Sequence, residues 1–360
     1  MEDQTVATKP TKRLLSLDVM RGLDMFFLVV VGPILGTCQR IWGLPQWLTT
    51  QLRHVDWEGL TAWDLIMPMF IFMCGAAIPF ALAKRLENGR ATWGYWRYVL
   101  GRVALLWVLG MMVQGNLLSL NPNVISPFNN TLQAIAVGYL MAACVYLIPN
   151  RLIRYALPFL MAIGYGAILR LFGDYSLEGC IAIRIDQILL PMNRDGYSWV
   201  LTSLMFGVMT LCGMFCTTLL ISKSTPVRKL LTLATVGMAL LFGGLALGIW
   251  EPAIKRVYTV SFTSQAMGWC ILILTLLYAV IDVCRFNRGW GLFLLYGRYA
   301  LTAYLCGTLF WHALNVLSAT LVHGVVYWWG DNAFYCSQTF VATLLLTGVL
   351  GVQMRLKQRG

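Results

Sequence analysis

Residues 231–249 read LTLATVGMALLFGGLALGI, nineteen positions without a charged side chain. A helix crosses the hydrocarbon core of a bilayer with about 20 mostly apolar residues. This stretch is therefore read as a membrane span. Val137–Ile148, Val200–Ile221 and Phe262–Ile281 are further uncharged runs. The whole chain agrees with them: 59% of its 360 residues are hydrophobic and 12% are charged. An ordinary soluble domain carries roughly 25% charged residues, because it must cover its surface with them.

Working outward, ten spans are expected near 14–37, 61–83, 98–116, 131–148, 152–171, 198–221, 229–250, 262–281, 298–320 and 335–354. The fold class is all-α, a polytopic integral membrane protein. Lys and Arg set its orientation, because they accumulate on the cytoplasmic side. With both termini cytoplasmic, twenty of the 27 basic residues fall inside. The outer seven are Arg40, Arg53, Arg170, Arg184, Arg194, Lys255 and Arg256. The net charge of +12 thus reports membrane orientation and no nucleic-acid partner. The first ten residues are polar, so the first apolar segment is read as a retained helix and not a signal peptide.

The chain is expected to divide into a cytoplasmic tail (1–13), one transmembrane domain (14–354) and a second cytoplasmic tail (355–360). The longest outer loop, from Phe172 to Trp199, is read as carrying a short helix. Most of the ten cysteines sit in apolar runs and are read as small packing residues. No C-x-x-C pair occurs, and a Cys180–Cys336 disulfide between outer loops is open but has no support in the sequence.

Charge near a bilayer is costly and marks function. The first such place is Ser16-Leu17-Asp18-Val19-Met20-Arg21-Gly22-Leu23-Asp24. Asp18 and Arg21 are three apart and share a helix face. They form either an ion pair at the helix end or a basic site for a polyanion. The second place runs from Arg53 to Asp64, where His54 lies among Asp56, Glu58 and Asp64. A carboxylate beside imidazole fixes its tautomer and makes it a better base. The plain structural reading is a capped helix, with Thr61 as cap and Asp64 as the acid three residues on. The two readings are compatible.

The third place is Glu251–Phe262, an outer turn with Lys255 and Arg256. These bases either snorkel to headgroups or line a pocket. The fourth is Tyr296–Tyr304 with Arg298. His312 and His323 are read as interfacial or packed. The P-loop, H-E-x-x-H and G-x-S-x-G patterns are absent, so neither nucleotide hydrolysis nor a metal is expected.

These places together resemble the heparan-α-glucosaminide N-acetyltransferase family of membrane acyltransferases, bacterial relatives included. The carrying motifs are S-L-D-x-x-R-G-L (Ser16–Leu23) and H-x-x-W-x-G-L-T-x-x-D-L-I-x-P-x-F-x-F-x-x-G (His54–Gly75). Thr131-Leu132-Gln133, Asp195–Trp199, Lys255–Phe262 and Gly297–Tyr304 follow in order.

The resemblance implies transfer of acetyl from cytoplasmic acetyl-CoA to the amine of a glucosamine-type sugar across the membrane. It implies His54 as base or acetyl carrier, with Asp64 as its catalytic partner. Asp56, Trp57, Glu58, Lys255, Tyr258 and Ser261 are the expected substrate contacts. Arg21, Arg97, Arg102 and Arg298 are expected against the phosphates of CoA, with Asp18 and Gln133 beside them. The resemblance further suggests a homodimer, here in a bacterial cytoplasmic (inner) membrane. Two other readings share much of this pattern. One is an O-acyltransferase acting on a cell-envelope glycan, and the other is a small-molecule transporter without chemistry.

Overall fold

A computed structural model describes residues 14–87, 90–191 and 196–359. Lys9, Lys12, Arg13, Arg194 and Asp195 lie outside them. The first rod comprises α1 (Leu15–Phe26), one wider π turn (Phe27–Val31) and α2 (Gly32–Trp42). Pro33 explains the wide turn: without an N–H it cannot bond the carbonyl four residues back, and the helix loosens there. After a short α3 (Gln46–Gln51) and the site loop, a 3₁₀ turn (Trp63–Leu65) opens α4 (Ile66–Leu82). Strands β1 (Leu86–Glu87) and β2 (Arg90–Ala91) form a minimal antiparallel pair.

Next come α5 (Trp93–Val113), α6 (Thr131–Tyr146), α7 (Arg151–Phe172) and α8 (Ile181–Leu189). α8 is the short helix expected in the long outer loop. Then α9 (Ser203–Ile221), α10 (Pro226–Leu247) and α11 (Val260–Leu277) follow. The chain ends with α12 (Gly291–Arg298), α13 (Ala300–Gly307), α14 (Trp311–Val322) and α15 (Val325–Arg359).

All ten expected segments fall on helices. Among the described residues, eight helical stretches are long and apolar enough to span a membrane. The bent pair α13 and α14, at 70°, makes a ninth. The remaining expected span, near 131–148, is α6 with only 16 residues, short of the roughly 20 a crossing needs. The last helix breaks at Gly330, whose φ is +76°. It also continues through Arg359, so residues 355–359 extend the final helix.

The core is formed by α1, α4, α9 and α11. Apolar windows of α4, α9 and α11 are 56%, 61% and 50% buried, against 17% for α5 and α7 and 22% for α10. Burial in lipid gives no hydrophobic drive between helices, so close backbone approach carries the packing. α4 and α9 show how. A Cβ on Gly75 would stand 1.8 Å from the Thr210 carbonyl oxygen, and one on Gly213 would stand 1.9 Å from that of Phe72. Only glycine at both positions permits this crossing.

The cysteines are free throughout: Cys180 is buried and Cys336 half-buried, with no bridge between them.

Candidate active site at His54

The loop before α4 is pinned from a distance. Gly59, at φ +130°, donates its N–H to the Ala253 carbonyl at 2.8 Å. Glu58 and Ile254 face each other as an isolated antiparallel bridge. This contact brings Lys255 to His54, 201 residues away in sequence. A one-turn 3₁₀ segment (Lys255–Val257) ends at Tyr258, in the left-handed region at φ 47°. Non-glycine residues seldom hold that conformation without surrounding constraint. The long outer loop closes the third side: Ser198 donates its N–H to Arg256 O at 2.9 Å, and Trp57 Nε1 donates to Tyr175 O at 2.8 Å.

Within this frame His54 Nδ1 lies 2.7 Å from Asp64 Oδ1. Lys255 Nζ stands 3.1 Å from the same oxygen and 2.9 Å from Nδ1. An ionised carboxylate offers no proton, so the shorter contact assigns the hydrogen to Nδ1, which donates to Asp64; Lys255 then donates to Oδ1, and its approach to Nδ1 is a contact between two donors. That assignment leaves the lone pair on Nε2. The His54 side chain is 47% exposed and Asp64 wholly buried. The anion is thus sheltered and the ring is reachable.

Asp64 divides its two oxygens between two tasks. Oδ2 accepts from the Thr61 N–H at 3.2 Å and lies 2.9 Å from the Thr61 hydroxyl. The expected cap is therefore half realised: the acid caps the turn, but the Thr61 hydroxyl turns to the carboxylate or to Arg53 O, 2.9 Å away.

Lys255 is buried. Burial lowers its pKa below the usual lysine value, and the Asp64 charge opposes that shift. Tyr258 is buried, its hydroxyl has no hydrogen-bond partner among the described residues, and burial pushes its pKa upward. Asp56 and Glu58 are exposed beside the site and Trp57 is half-buried. Ser261 sits further in: its hydroxyl is 3.1 Å from Thr259 Oγ1, and its N–H bonds Glu251. It belongs to the start of α11. His312, on α14, and His323, just after it, are exposed.

The arginines assemble elsewhere. Arg21, Arg102 and Arg298 line one cavity of about 250 Å³, walled by Met73, Cys74 and Tyr304 among others. Arg21 donates to Met73 O at 3.3 Å, and Arg102 lies 4.6 Å from the Tyr139 ring centroid. Arg21 also lines a neighbouring cavity of about 350 Å³ with Asp18 and Lys84. Asp18 and Arg21 do share a face, as their spacing required. Lys84 was missed as a site candidate, although its place among the inner bases signalled it.

Two expected contacts are not brought there. Arg97 is exposed on α5 and does not line either cavity. Gln133 is wholly buried in a capping box: Oε1 accepts from Asn130 N at 3.1 Å, and Nε2 donates to Pro127 O at 2.6 Å. The Asn130-to-Gln133 spacing carried that signal.

Residues 13–148 match a family model described as a domain of unknown function (DUF5009). The chain is 26% identical over 144 residues to human heparan-alpha-glucosaminide N-acetyltransferase, covering 38% of this chain and 19% of that protein. The mouse protein of the same name is 27% identical over 139 residues, covering 36% and 19%. The match therefore spans about a fifth of the relatives' length. The chain is thus an all-α protein with several helices fit to cross a membrane, and over about 140 residues it is similar to the heparan-alpha-glucosaminide N-acetyltransferases.

Proposed function

We propose that this protein is a transmembrane acetyltransferase that moves acetyl from acetyl-CoA to the amine of a glucosamine-type sugar. The observation that carries the proposal is the short contact between His54 Nδ1 and a buried Asp64. It leaves Nε2 as the free base of an accessible ring. A general base needs a fixed orientation and an accessible lone pair near the proton it takes.

In direct transfer the neutral amine attacks the thioester carbonyl. The N–C bond forms, the C–S bond breaks, and CoA leaves as the thiolate. His54 Nε2 takes the amine proton and returns it to sulfur. With acetyl carried on Nε2, the same exchange runs in two steps. Asp64 holds the ring, and Lys255 balances the Asp64 charge. Asp56, Trp57 and Glu58 at the rim are placed to meet a polar sugar.

The cavity holding Arg21, Arg102 and Arg298 suits the donor's phosphates, for which guanidinium is the matching group. Asp64, beside His54, and Met73, in the wall of the arginine cavity, are nine positions apart. The donor's extended arm must therefore bridge about 14 Å along α4. The charge asymmetry supports a cytoplasmic origin for the donor and an outer site for His54. Residues 14–354 act as one acyltransferase domain in the cytoplasmic membrane of a bacterium.

The test uses purified protein with radiolabelled acetyl-CoA and glucosamine. Wild type forms labelled N-acetylglucosamine, His54→Ala forms none, and Asp64→Asn loses about 10²–10⁴-fold. Product from His54→Ala at the wild-type rate refutes the role of His54. Failure of wild type to bind acetyl-CoA refutes the reaction and returns the protein to transport.

A further inference from the structure

A second large cavity lies away from His54, between α7, α9, α10 and α11. Its volume is about 890 Å³. Its wall on α7 runs from Tyr155 to Arg170, about 22 Å at the α-helical rise. That is most of the roughly 30 Å hydrocarbon core. Two of its helices, α7 and α10, have apolar windows only 17% and 22% buried, which leaves their outer sides for lipid. The lining is almost wholly apolar until the end nearest the site loop. There Arg170, Tyr175 and Glu251 gather, and the Tyr175 carbonyl is the group that holds Trp57.

Glu251 is the decisive group. It is 92% buried, since its exposure is 8%. Oε2 accepts the Ser261 N–H at 3.0 Å, whereas Oε1 is buried and has no hydrogen-bond partner among the described residues. A Cβ on Gly166 would stand 3.9 Å from Oε1, and Gly166 itself lines the groove. The orphaned acceptor therefore faces the notch that glycine leaves in α7. A buried acceptor without a donor is costly, and such a cost is commonly met by a ligand.

We infer that this groove is a lipid-binding site for an aminophospholipid, with one hydrocarbon chain along α7 and α10, the headgroup ammonium at Glu251 and the phosphate toward Arg170. A single extended chain fits, and the paired acid and base match a zwitterionic headgroup.

The test is native mass spectrometry of delipidated protein given equal amounts of phosphatidylethanolamine and phosphatidylcholine with identical acyl chains. These lipids share net charge and differ in N–H donors, three against none. Wild type retains phosphatidylethanolamine over phosphatidylcholine by about tenfold, the ratio one charge-assisted hydrogen bond supplies. Glu251→Gln keeps an oxygen for Ser261 and puts an NH₂ where Oε1 stood, so the ratio falls to near one. A Cβ on Gly243, which also lines the groove, meets no atom within 4 Å. Gly243→Phe therefore enters the groove through open space, and bound lipid falls severalfold while the oligomeric mass stays unchanged. Equal retention of the two lipids by wild type overturns the inference. So does lipid content untouched by Gly243→Phe, or a change in oligomeric mass in its place.

Discussion

His54 and Asp64 show how one side chain serves fold and chemistry together. The Asp64 oxygen facing Thr61 closes the turn that starts α4, and the other oxygen holds the imidazole. Both tasks were legible in the spacing, because a cap and a carboxylate–imidazole pair each need only local sequence. Lys255 was legible as an outer base but not as the third member of the cluster, since 201 residues separate it from His54. Glu251 provides a prediction at this scale. Burial raises its pKa above the ordinary 4.5, and the Ser261 N–H opposes that. The folded state then binds more protons than the unfolded chain above that value, so stability must fall as pH rises through the folded pKa. The melting temperature of wild type, measured against Glu251→Gln from pH 4.5 upward, should decline with pH. A difference that stays flat or grows with pH removes this account.

Helix crossings decide how the elements meet. α1 and α12 approach as α4 and α9 do: a Cβ on Gly22 would stand 1.7 Å from the Phe293 carbonyl oxygen, and one on Gly297 would stand 2.0 Å from that of Asp18. The first crossing explains why glycine follows Arg21 in the motif. It sets α1 against α12, so that Arg21 and Arg298 reach one cavity. Gly75→Ala should lower stability by about 1–3 kcal/mol, because the backbones must part to admit the methyl. Gly36→Ala, where a Cβ meets nothing within 4 Å, should be neutral or stabilise by about 0.5–1 kcal/mol. Thermal melts in one detergent compare the two, and equal effects would refute close approach as the reason for Gly75. Periodicity could not reveal these contacts, since the helices are apolar on most sides. The short α6 and the bend between α13 and α14 escaped for a related reason: hydropathy counts apolar residues but does not see a break in direction.

For the whole molecule, the uneven placement of Lys and Arg predicts both ends on the cytoplasmic side. A fluorescent protein that matures only in the cytoplasm, fused after Gly360, should glow. A phosphatase active only outside, inserted after Gly43, should be active. The reverse pair of results would invert the bundle and place His54 with the donor. The sequence by itself determined that the chain is helical and membrane-embedded, because the length and polarity of a span are properties of consecutive residues. It also marked His54, Asp64 and Arg21, whose chemistry is costly near lipid. Tertiary packing alone settles that Lys255 joins His54, and that Arg102 and Arg298 join Arg21 while Arg97 does not. Those outcomes depend on which helices touch and at what depth. In a bilayer that is set by backbone approach at glycines and by loops that pair across the chain, and no local pattern records either.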